Sequence, residues 1–164
     1  MAKADLTAQR LRELLHYDPE TGVFTWLVRR HKNPAGMTAG TPDKDGYIQI
    51  GIDRHCHKGH QLAWLYMYGD WPTQQVDHRD RVRSNNQLLN LRLATPGQNG
   101  QNRSVALRNN KTGVLGVSPN GRGKFVANIG VDGRAIYLGT FATVADAAEA
   151  RSRAKVVHHP FFEG

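Results

Sequence analysis

Residues 76–102 read V-D-H-R-D-R-V-R-S-N-N-Q-L-L-N-L-R-L-A-T-P-G-Q-N-G-Q-N and hold the most informative pattern in the 164-residue chain. The stretch begins with an acid beside a histidine, Asp77 and His78, and asparagines and arginines follow at short intervals. Carboxylate and amide oxygens are ligands of hard metal ions, imidazole is a base near neutral pH, and arginine binds phosphate. The combination predicts a site that hydrolyses phosphodiesters with the help of a metal ion.

The same stretch predicts two strands and a helix in a fixed order. Gln75–His78 and residues 90–94 are typical of short strands, and a polar loop over residues 79–89 joins them. Thr95 and Pro96 are an N-cap followed by proline at the first helical position, so a helix begins there and carries Asn99. We expect Asn99 to complete a metal site with Asp77, and ligation by oxygen alone favours Mg²⁺ or Mn²⁺ over Zn²⁺.

A simpler interpretation of the stretch is that Asp77-His78 is a chance dipeptide in a polar loop. The asparagines would then be turn formers, a role for which asparagine is well suited. For any single residue this interpretation is the better one. It weakens because strand, loop, strand and capped helix follow one another in the order that a compact site needs.

The residues before this stretch predict a small mixed leader. Its predicted elements are a helix over residues 6–16 with Thr7 as N-cap, a turn over 18–22, a strand over 23–28, a loop over 29–42, a strand over 46–52 and a helix over 60–68. His60 begins the last of these helices. It is either a structural hydrogen-bonding group or a residue that approaches the site and contacts phosphate.

In the last third of the chain the sequence pattern changes, and it predicts three strands followed by a helix. The strands are expected over residues 114–117, 124–129 and 135–139, with the hairpin signals Asn120-Gly121 and Asp132-Gly133 between them. Thr143 is the expected N-cap of a helix over residues 144–157, and its alanines allow close packing on the sheet. We therefore expect a separate module over residues 112–164.

The charge of the chain is concentrated in its middle. The formal net charge is +8, and residues 79–124 contain nine Lys or Arg against one acid, Asp80. An excess of this size favours a polyanionic partner such as nucleic acid, although many small proteins are basic without binding one.

Cysteine usage and hydropathy exclude several classes of protein. Cys56 is the one cysteine, so an internal disulfide and a multi-cysteine zinc site are excluded. His55, Cys56 and His57 are consecutive, and on a strand they alternate between faces, so they are not expected to converge on one ion. No apolar run reaches the roughly 20 residues of a membrane span, and the N-terminus lacks a signal peptide. We expect a soluble, cytoplasmic protein of a bacterial or phage-infected host cell, without an obligate protein partner.

The central stretch resembles the HNH (ββα-metal) endonucleases of the phage and homing type. The matching motifs are Asp77-His78, Asn85-Asn86, Asn90-Leu91-Arg92 and Gln98-Asn99, and in the leader Tyr17-Asp18-Pro19-Glu20-Thr21-Gly22, His60-Gln61-Leu62-Ala63-Trp64 and Trp71-Pro72. The resemblance implies that His78 is the general base, Asp77 and Asn99 are metal ligands, and Asn90 braces the loop. Asn99 in place of a histidine suits a Mg²⁺-using, homing-type variant. The sequence departs from the family at Asp80-Arg81, where Asp-Gly is frequent.

The C-terminal module resembles the ethylene-response-factor (ERF, Apetala-type) DNA-binding domain. The matching residues are Gly113-Val114-Leu115-Gly116-Val117, Gly123-Lys124-Phe125-Val126-Ala127-Asn128-Ile129, Tyr137-Leu138-Gly139-Thr140-Phe141 and Ala145-Asp146-Ala147-Ala148. Such domains lay a three-stranded sheet into the major groove, and the candidate DNA-contacting residues here are Arg122, Lys124, Asn128, Arg134 and Tyr137. Ser118 and Arg122 depart from the plant pattern, so base specificity does not carry over. A small α+β domain with an ordinarily charged surface is the alternative.

Together these patterns predict an α+β protein with an HNH nuclease domain over residues 1–111, whose ββα-metal core covers about 74–104, and an ERF-like module over 112–164. The expected substrate is double-stranded DNA, and Arg79, Arg83 and Arg92 are the expected phosphate contacts beside the site. The alternative function is that of a non-catalytic, sequence-specific DNA-binding protein. RNA fits the charge, but the sequence lacks aromatic residues arranged for base stacking.

Overall fold

The computed structural model describes residues 6–30, 34–101, 106, 109–131 and 133–159. Runs of antiparallel strands are separated by helices along the chain, which confirms the predicted α+β class. The chain forms two compact units, Met1–Thr95 and Pro96–Gly164. The functional boundary expected at residues 111/112 stays a prediction. Within the described residues, no helix is both long and apolar enough to cross a membrane.

The first unit contains three small antiparallel sheets and two helices. Its elements are α1 (Ala8–Leu14), β1 (Leu15–Tyr17), β2 (Phe24–Trp26), β3 (Thr41–Pro42), β4 (Ile48–Ile52), β5 (His55–Lys58), α2 (Gly59–Tyr68), β6 (Gln75–His78), a 3-10 helix (Leu88–Asn90) and β7 (Leu91–Ala94). The sheets have the strand orders β1-β2, β3-β4-β5 and β6-β7. Strand β6 has the predicted bounds, and β7 begins one residue later than predicted because Asn90 ends the 3-10 helix.

The first helix is shorter than the sequence pattern indicates. Thr7 caps it as predicted, because its hydroxyl accepts a hydrogen bond from the Arg10 N–H at 3.1 Å. The helix ends at Leu14, since Leu15 and Tyr17 pair with Trp26 and Phe24 as a strand. The prediction of a helix to residue 16 was therefore wrong. Burial of two alternate residues in a sheet outweighs the helical period over this short segment.

One hydrophobic core unites the leader with the β6-β7 hairpin. Leu11, Leu15, Ile50 and Leu62 are at most 1% exposed, and Val76 and Leu91 of the hairpin belong to the same cluster. Burying a side chain of this size is worth about 1.5–3 kcal/mol. The hairpin is thus held by elements that lie far from it in sequence.

The predicted turn over residues 18–22 packs directly against the loop between β6 and β7. The Asp18 carboxylate accepts hydrogen bonds from the Glu20 N–H and the Thr21 hydroxyl, and the Leu88 N–H donates to the Pro19 carbonyl at 2.9 Å. Gly22 has φ 73°, and a Cβ on it would lie 2.4 Å from the Asn86 carbonyl carbon. Only glycine allows both this backbone conformation and this close approach.

The second unit contains helix α3 (Pro96–Gln101), strands β8 (Val117–Pro119), β9 (Phe125–Val131) and β10 (Arg134–Phe141), and helix α4 (Val144–His158). The strands form one antiparallel sheet in the order β10-β9-β8, and α4 packs on it through the fully buried Ala147. Thr143 caps α4 as predicted, because its hydroxyl accepts from the Asp146 N–H at 3.1 Å. Asn102 and Asp132 lie outside the described residues.

The first strand of this sheet begins three residues later than predicted. Residues 114–116 instead form a turn that side chains of the preceding segment hold in place. The Asn110 amide donates to the carbonyls of Val114 and Val117, at 2.9 and 3.2 Å. Gly116 has φ 74°, which interrupts an extended strand at that position. These tertiary hydrogen bonds leave no signal in an apolar periodicity.

Candidate active site

The β6-β7 hairpin fixes the two residues with which the predicted site begins. Its register pairs Asp77 with Arg92 and His78 with Leu91. Successive residues of a strand point to opposite faces, so the two side chains of Asp77 and His78 diverge. The loop between the strands closes on itself, because the Arg79 N–H donates to the Asn90 carbonyl at 2.9 Å.

His78, the predicted general base, is buried and closely surrounded. Its ring is 4% exposed, and its Nε2 lies 3.2 Å from the Asn86 Oδ1. The ring of His60 stands edge-on at a centroid distance of 5.1 Å, and the Tyr47 ring lies at 6.0 Å. Burial lowers the pKa of His78 below its usual value, and the hydrogen bond to Asn86 only partly opposes that shift. The imidazole is therefore neutral at physiological pH, as a general base must be.

Asn90 lies at the base of the loop and binds it at three points. Its amide nitrogen donates to the Asp80 Oδ1 at 2.9 Å and the Asn85 carbonyl at 2.8 Å. Its amide oxygen accepts from the Asp80 N–H at 3.0 Å. The pKa of Asp80 is lowered even though burial raises it, because hydrogen bonds from the Val82 N–H and the amides of Asn85 and Asn90 outweigh burial. A charged Asp80 and Asn90 thus hold the loop in one shape.

Arg81 adopts the left-handed conformation inside this loop. Its φ is 66°, and its N–H donates to the His78 carbonyl at 3.1 Å. A non-glycine residue in this region costs about 1 kcal/mol. This is the position where the HNH resemblance often has glycine, so the loop keeps a glycine-like shape with an arginine in it.

Asp77, the predicted metal ligand, forms a nearly buried ion pair. Its Oδ2 lies 3.2 Å from Arg92 Nη2 and 3.3 Å from Arg92 Nε. The side chains of Asp77 and Arg92 are 11% and 7% exposed. The Arg92 side chain therefore lies against Asp77 of the neighbouring strand, whereas the sequence predicts that it contacts phosphate. A carboxylate oxygen is a donor that Mg²⁺ or Mn²⁺ accepts.

Asn99, the other predicted ligand, is half-buried on α3 of the second unit. Within the described part of the chain, no group of three or more His, Cys, Asp or Glu residues could hold a metal ion. The shared binding of one ion by Asp77 and Asn99 stays a prediction.

The loop before β4 brings Tyr47, which no sequence motif points to, close to His78. Tyr47 lies beside His60 at a ring distance of 5.2 Å, and Lys58 Nζ and the Arg83 guanidinium each stand 5.0 Å from its ring centre. Asp43 holds this loop by accepting from the Lys58 ammonium and the Tyr47 N–H, and the Lys58 hydrogen bond lowers the pKa of Asp43 to about 2. The acid-rich turn 43–46 signals a loop, but its sequence gives no sign of its neighbours in space.

The remaining predicted DNA contacts of the first unit differ in exposure. Arg83 is exposed, and its Nη1 donates to the Asp45 carbonyl at 2.8 Å. Arg79 is half-buried, directly after His78.

His60, for which two roles were open, lies against the predicted base and is 7% exposed. Asn86, for which the sequence indicates no chemical role, is a direct hydrogen-bond partner of His78.

The sheet of the second unit brings together some of its predicted DNA-contacting residues. Tyr137 is directly opposite Asn128, and cross-strand partners share a face of a sheet. Strand alternation places Arg134 on the other face, with Ile136. Arg122 and Lys124 are exposed around the turn before β9, which the Asn120 side chain holds by accepting from both of their N–H groups.

Comparison with known proteins finds a similarity over part of the chain. Residues 57–101 match the family model described as HNH endonuclease. A solved structure titled "DNA binding and cleavage by the HNH homing endonuclease I-HmuI" is similar with a TM-score of 0.44 and 23% identity, over 88% of this chain and 82% of that one. No curated protein matches the chain. The family match includes His60, Asp77, His78, Asn90 and Asn99 and ends before the C-terminal sheet.

Proposed function

We propose that this protein is a metal-dependent DNA endonuclease of the HNH class. The observation that carries the proposal is His78, a buried imidazole with a lowered pKa that directly follows an ion-paired carboxylate. Both residues lie within the segment that matches the HNH endonuclease family model. A protein that only binds DNA has no need of a neutral, desolvated base beside a fixed carboxylate.

In the proposed mechanism, His78 accepts the proton of a water molecule as that water attacks the phosphorus of a phosphodiester. Asp77 and Asn99 are the residues that would hold a divalent ion, Mg²⁺ or Mn²⁺, which supplies charge neutralisation at the phosphate and the leaving 3′-oxygen when bound. Asn90 keeps the loop, and with it the main chain around His78, in the shape that the reaction requires. Fixed geometry of this kind accounts for a large part of the rate of hydrolytic enzymes.

The arginines near the site divide into two proposed roles. Arg79 and Arg83 are proposed to contact DNA phosphates, and the exposure of Arg83 supports this. The buried pair with Asp77 supports a positioning role for Arg92 instead of the phosphate contact expected from sequence. The guanidinium fixes the orientation of the carboxylate.

The C-terminal sheet is proposed to bind double-stranded DNA and so direct the cleavage. The support is the exposure of Arg122, Lys124, Arg134 and Tyr137 and the shared face of Tyr137 and Asn128. In the competing function the protein binds DNA without cleaving it, and this sheet and the basic centre of the chain would account for the binding.

The test is cleavage of supercoiled plasmid by the full chain with Mg²⁺, with Mn²⁺ and with EDTA. We expect nicked or linear product with either metal and none with EDTA. His78→Ala should lower the rate by about 10²–10⁴-fold, the usual contribution of a general base. His55→Ala is the matched control, because His55 is an exposed histidine of the same unit.

Binding is measured in parallel by gel shift, so that loss of cleavage is separated from loss of affinity. Wild-type protein that binds plasmid and never cuts it, with any divalent metal, would establish the non-catalytic alternative. Cleavage by His78→Ala at the wild-type rate would remove His78 from the mechanism.

A further inference from the structure

Asn86 is the most deeply buried polar residue near the site, and it contacts the proposed base directly. Its side chain is 2% exposed, and its Oδ1 lies 3.2 Å from the His78 Nε2. A buried amide is kept only where its hydrogen bonds are made, because an unmade one costs about 1–3 kcal/mol. The contact with His78 is therefore a defined hydrogen bond in the core of the first unit.

We propose that Asn86 is a positioning residue that holds His78 in a single ring tautomer, with the proton on Nε2 and the lone pair on Nδ1. An amide oxygen can only accept a hydrogen bond, so the Nε2 that faces it must carry the hydrogen. In a neutral imidazole the other nitrogen then has the lone pair. Asn86 thereby selects Nδ1 as the atom that takes the proton from water. The tautomer of His78 does not depend on the proposed function; only the naming of Nδ1 as the atom that accepts the proton rests on it.

The leader holds Asn86 in this orientation from three sides. The Tyr17 hydroxyl donates to the Asn86 carbonyl at 2.6 Å, and burial raises the pKa of Tyr17, so the donor keeps its proton. A Cβ on Gly59 would lie 2.7 Å from the Asn86 Nδ2, and a Cβ on Gly22 would lie 2.4 Å from the Asn86 carbonyl carbon. Tyr17 and Gly22 thus fix the main chain of Asn86, and Gly59 lies against its side-chain amide.

Two neighbouring rings pack near His78. His60 stands edge-on to it at a ring-centroid distance of 5.1 Å, and the Tyr47 ring lies at 6.0 Å. A flip of the imidazole would exchange the positions of Nδ1 and Nε2 and would break the contact between Nε2 and the Asn86 oxygen.

The primary experiment is nitrogen NMR of wild-type protein labelled with ¹⁵N-histidine, at a pH well above the ordinary imidazole pKa of about 6.5. Nitrogen shifts distinguish a protonated from an unprotonated ring nitrogen, and His78→Ala identifies the signals of His78. We expect a protonated Nε2 and an unprotonated Nδ1. A spectrum with the proton on Nδ1 overturns the inference, whether or not the protein cleaves DNA.

Two variants of the same size then test the role of the acceptor. Asn86→Leu removes the accepting oxygen, so we expect His78 to populate both tautomers. We also expect kcat to fall by about 10- to 100-fold with an unchanged KM, which is the usual effect of losing the partner that orients a histidine. Asn86→Asp retains an acceptor and should keep the Nε2–H tautomer. If Asn86→Leu lowers kcat while His78 keeps a single tautomer, the inference is overturned and the role of Asn86 is purely structural.

The outcomes separate this inference from the proposed function. An Nε2–H tautomer in a protein that cuts no DNA with any metal would refute the nuclease and leave the role of Asn86 in place. If Asn86→Leu fails to fold, the wild-type spectrum still decides. Gly59→Ala, which crowds the amide and leaves Asn86 itself intact, should shift the tautomer in the same direction as leucine.

Discussion

The β6-β7 hairpin and the C-terminal sheet both contain charged residues, but they hold them differently. In the hairpin, Asp77 and Arg92 form a nearly buried pair, and Asp80 is bound by the amides of Asn85 and Asn90. Around the C-terminal sheet, Arg122, Lys124 and Arg134 are exposed to solvent. Fixed charges suit a reaction that depends on geometry, whereas exposed charges suit attraction of a polyanion over a distance.

The difference also predicts where substitutions affect stability and where they affect binding. A buried charge has lost its water and depends on its partner, so removing that partner destabilises the protein. An exposed charge remains hydrated, so its removal changes the field around the protein and hardly changes the free energy of unfolding. Three predictions test this contrast.

The largest effect is expected for Arg92→Met. The substitution removes the cation that pairs with the nearly buried Asp77 carboxylate, and we expect a loss of about 3 kcal/mol in the free energy of unfolding, measured with urea. The double variant Asp77→Leu/Arg92→Met should recover much of this stability without recovering cleavage. Unchanged stability of Arg92→Met together with weaker DNA binding would instead support the phosphate contact expected from sequence.

An intermediate effect is expected for Asn90→Ala. The loop loses three hydrogen bonds, and the free energy of unfolding should fall by about 1–3 kcal/mol, with faster proteolysis of the loop over residues 79–90. Leu89→Ala is the matched control, because its side chain is adjacent and 91% exposed, and it should change stability by less than about 0.5 kcal/mol. Equal effects of the two substitutions would show that Asn90 is not the brace.

The smallest effects on stability are expected for Arg122→Ala, Lys124→Ala and Arg134→Ala. Each should change the free energy of unfolding by less than about 0.5 kcal/mol and reduce the slope of log K against log salt for DNA binding by about 0.9. Arg153→Ala is the control, since Arg153 is an exposed arginine on α4 that pairs with Glu149. A salt slope that the three substitutions leave unchanged would remove the sheet from the proposed DNA interface.

Local signals made a large part of the fold predictable. The bounds of β6, the helix that begins at Pro96, and the caps Thr7 and Thr143 follow from patterns that span only a few residues. The strand at Leu15–Tyr17 was missed because a three-residue strand is too short to show its period against a helical background. The start of β8 was missed because Asn110 acts on it through hydrogen bonds to the backbone.

The residue types of the candidate site can be read from the sequence, but their neighbours in space cannot. Asp77, His78 and Asn90 stand out as residue types in a recognisable order. The pairing of Asp77 with Arg92 depends on strand register across a long loop, which sequence does not give. The approach of Tyr47, His60 and Asn86 to His78 depends on packing between the leader and the hairpin, so no spacing within the site stretch could indicate it.

The close approach at Gly22 has a consequence for how such a chain can be recombined. The turn at residues 18–22 touches the backbone of Asn86 and Gln87, so the segment that carries the family motif is completed by a segment far upstream of it. An exchange of residues 57–101 between two genes would bring a loop without the turn that fits it. The segment 57–101 is therefore expected to fold as it does here only together with a turn that fits it.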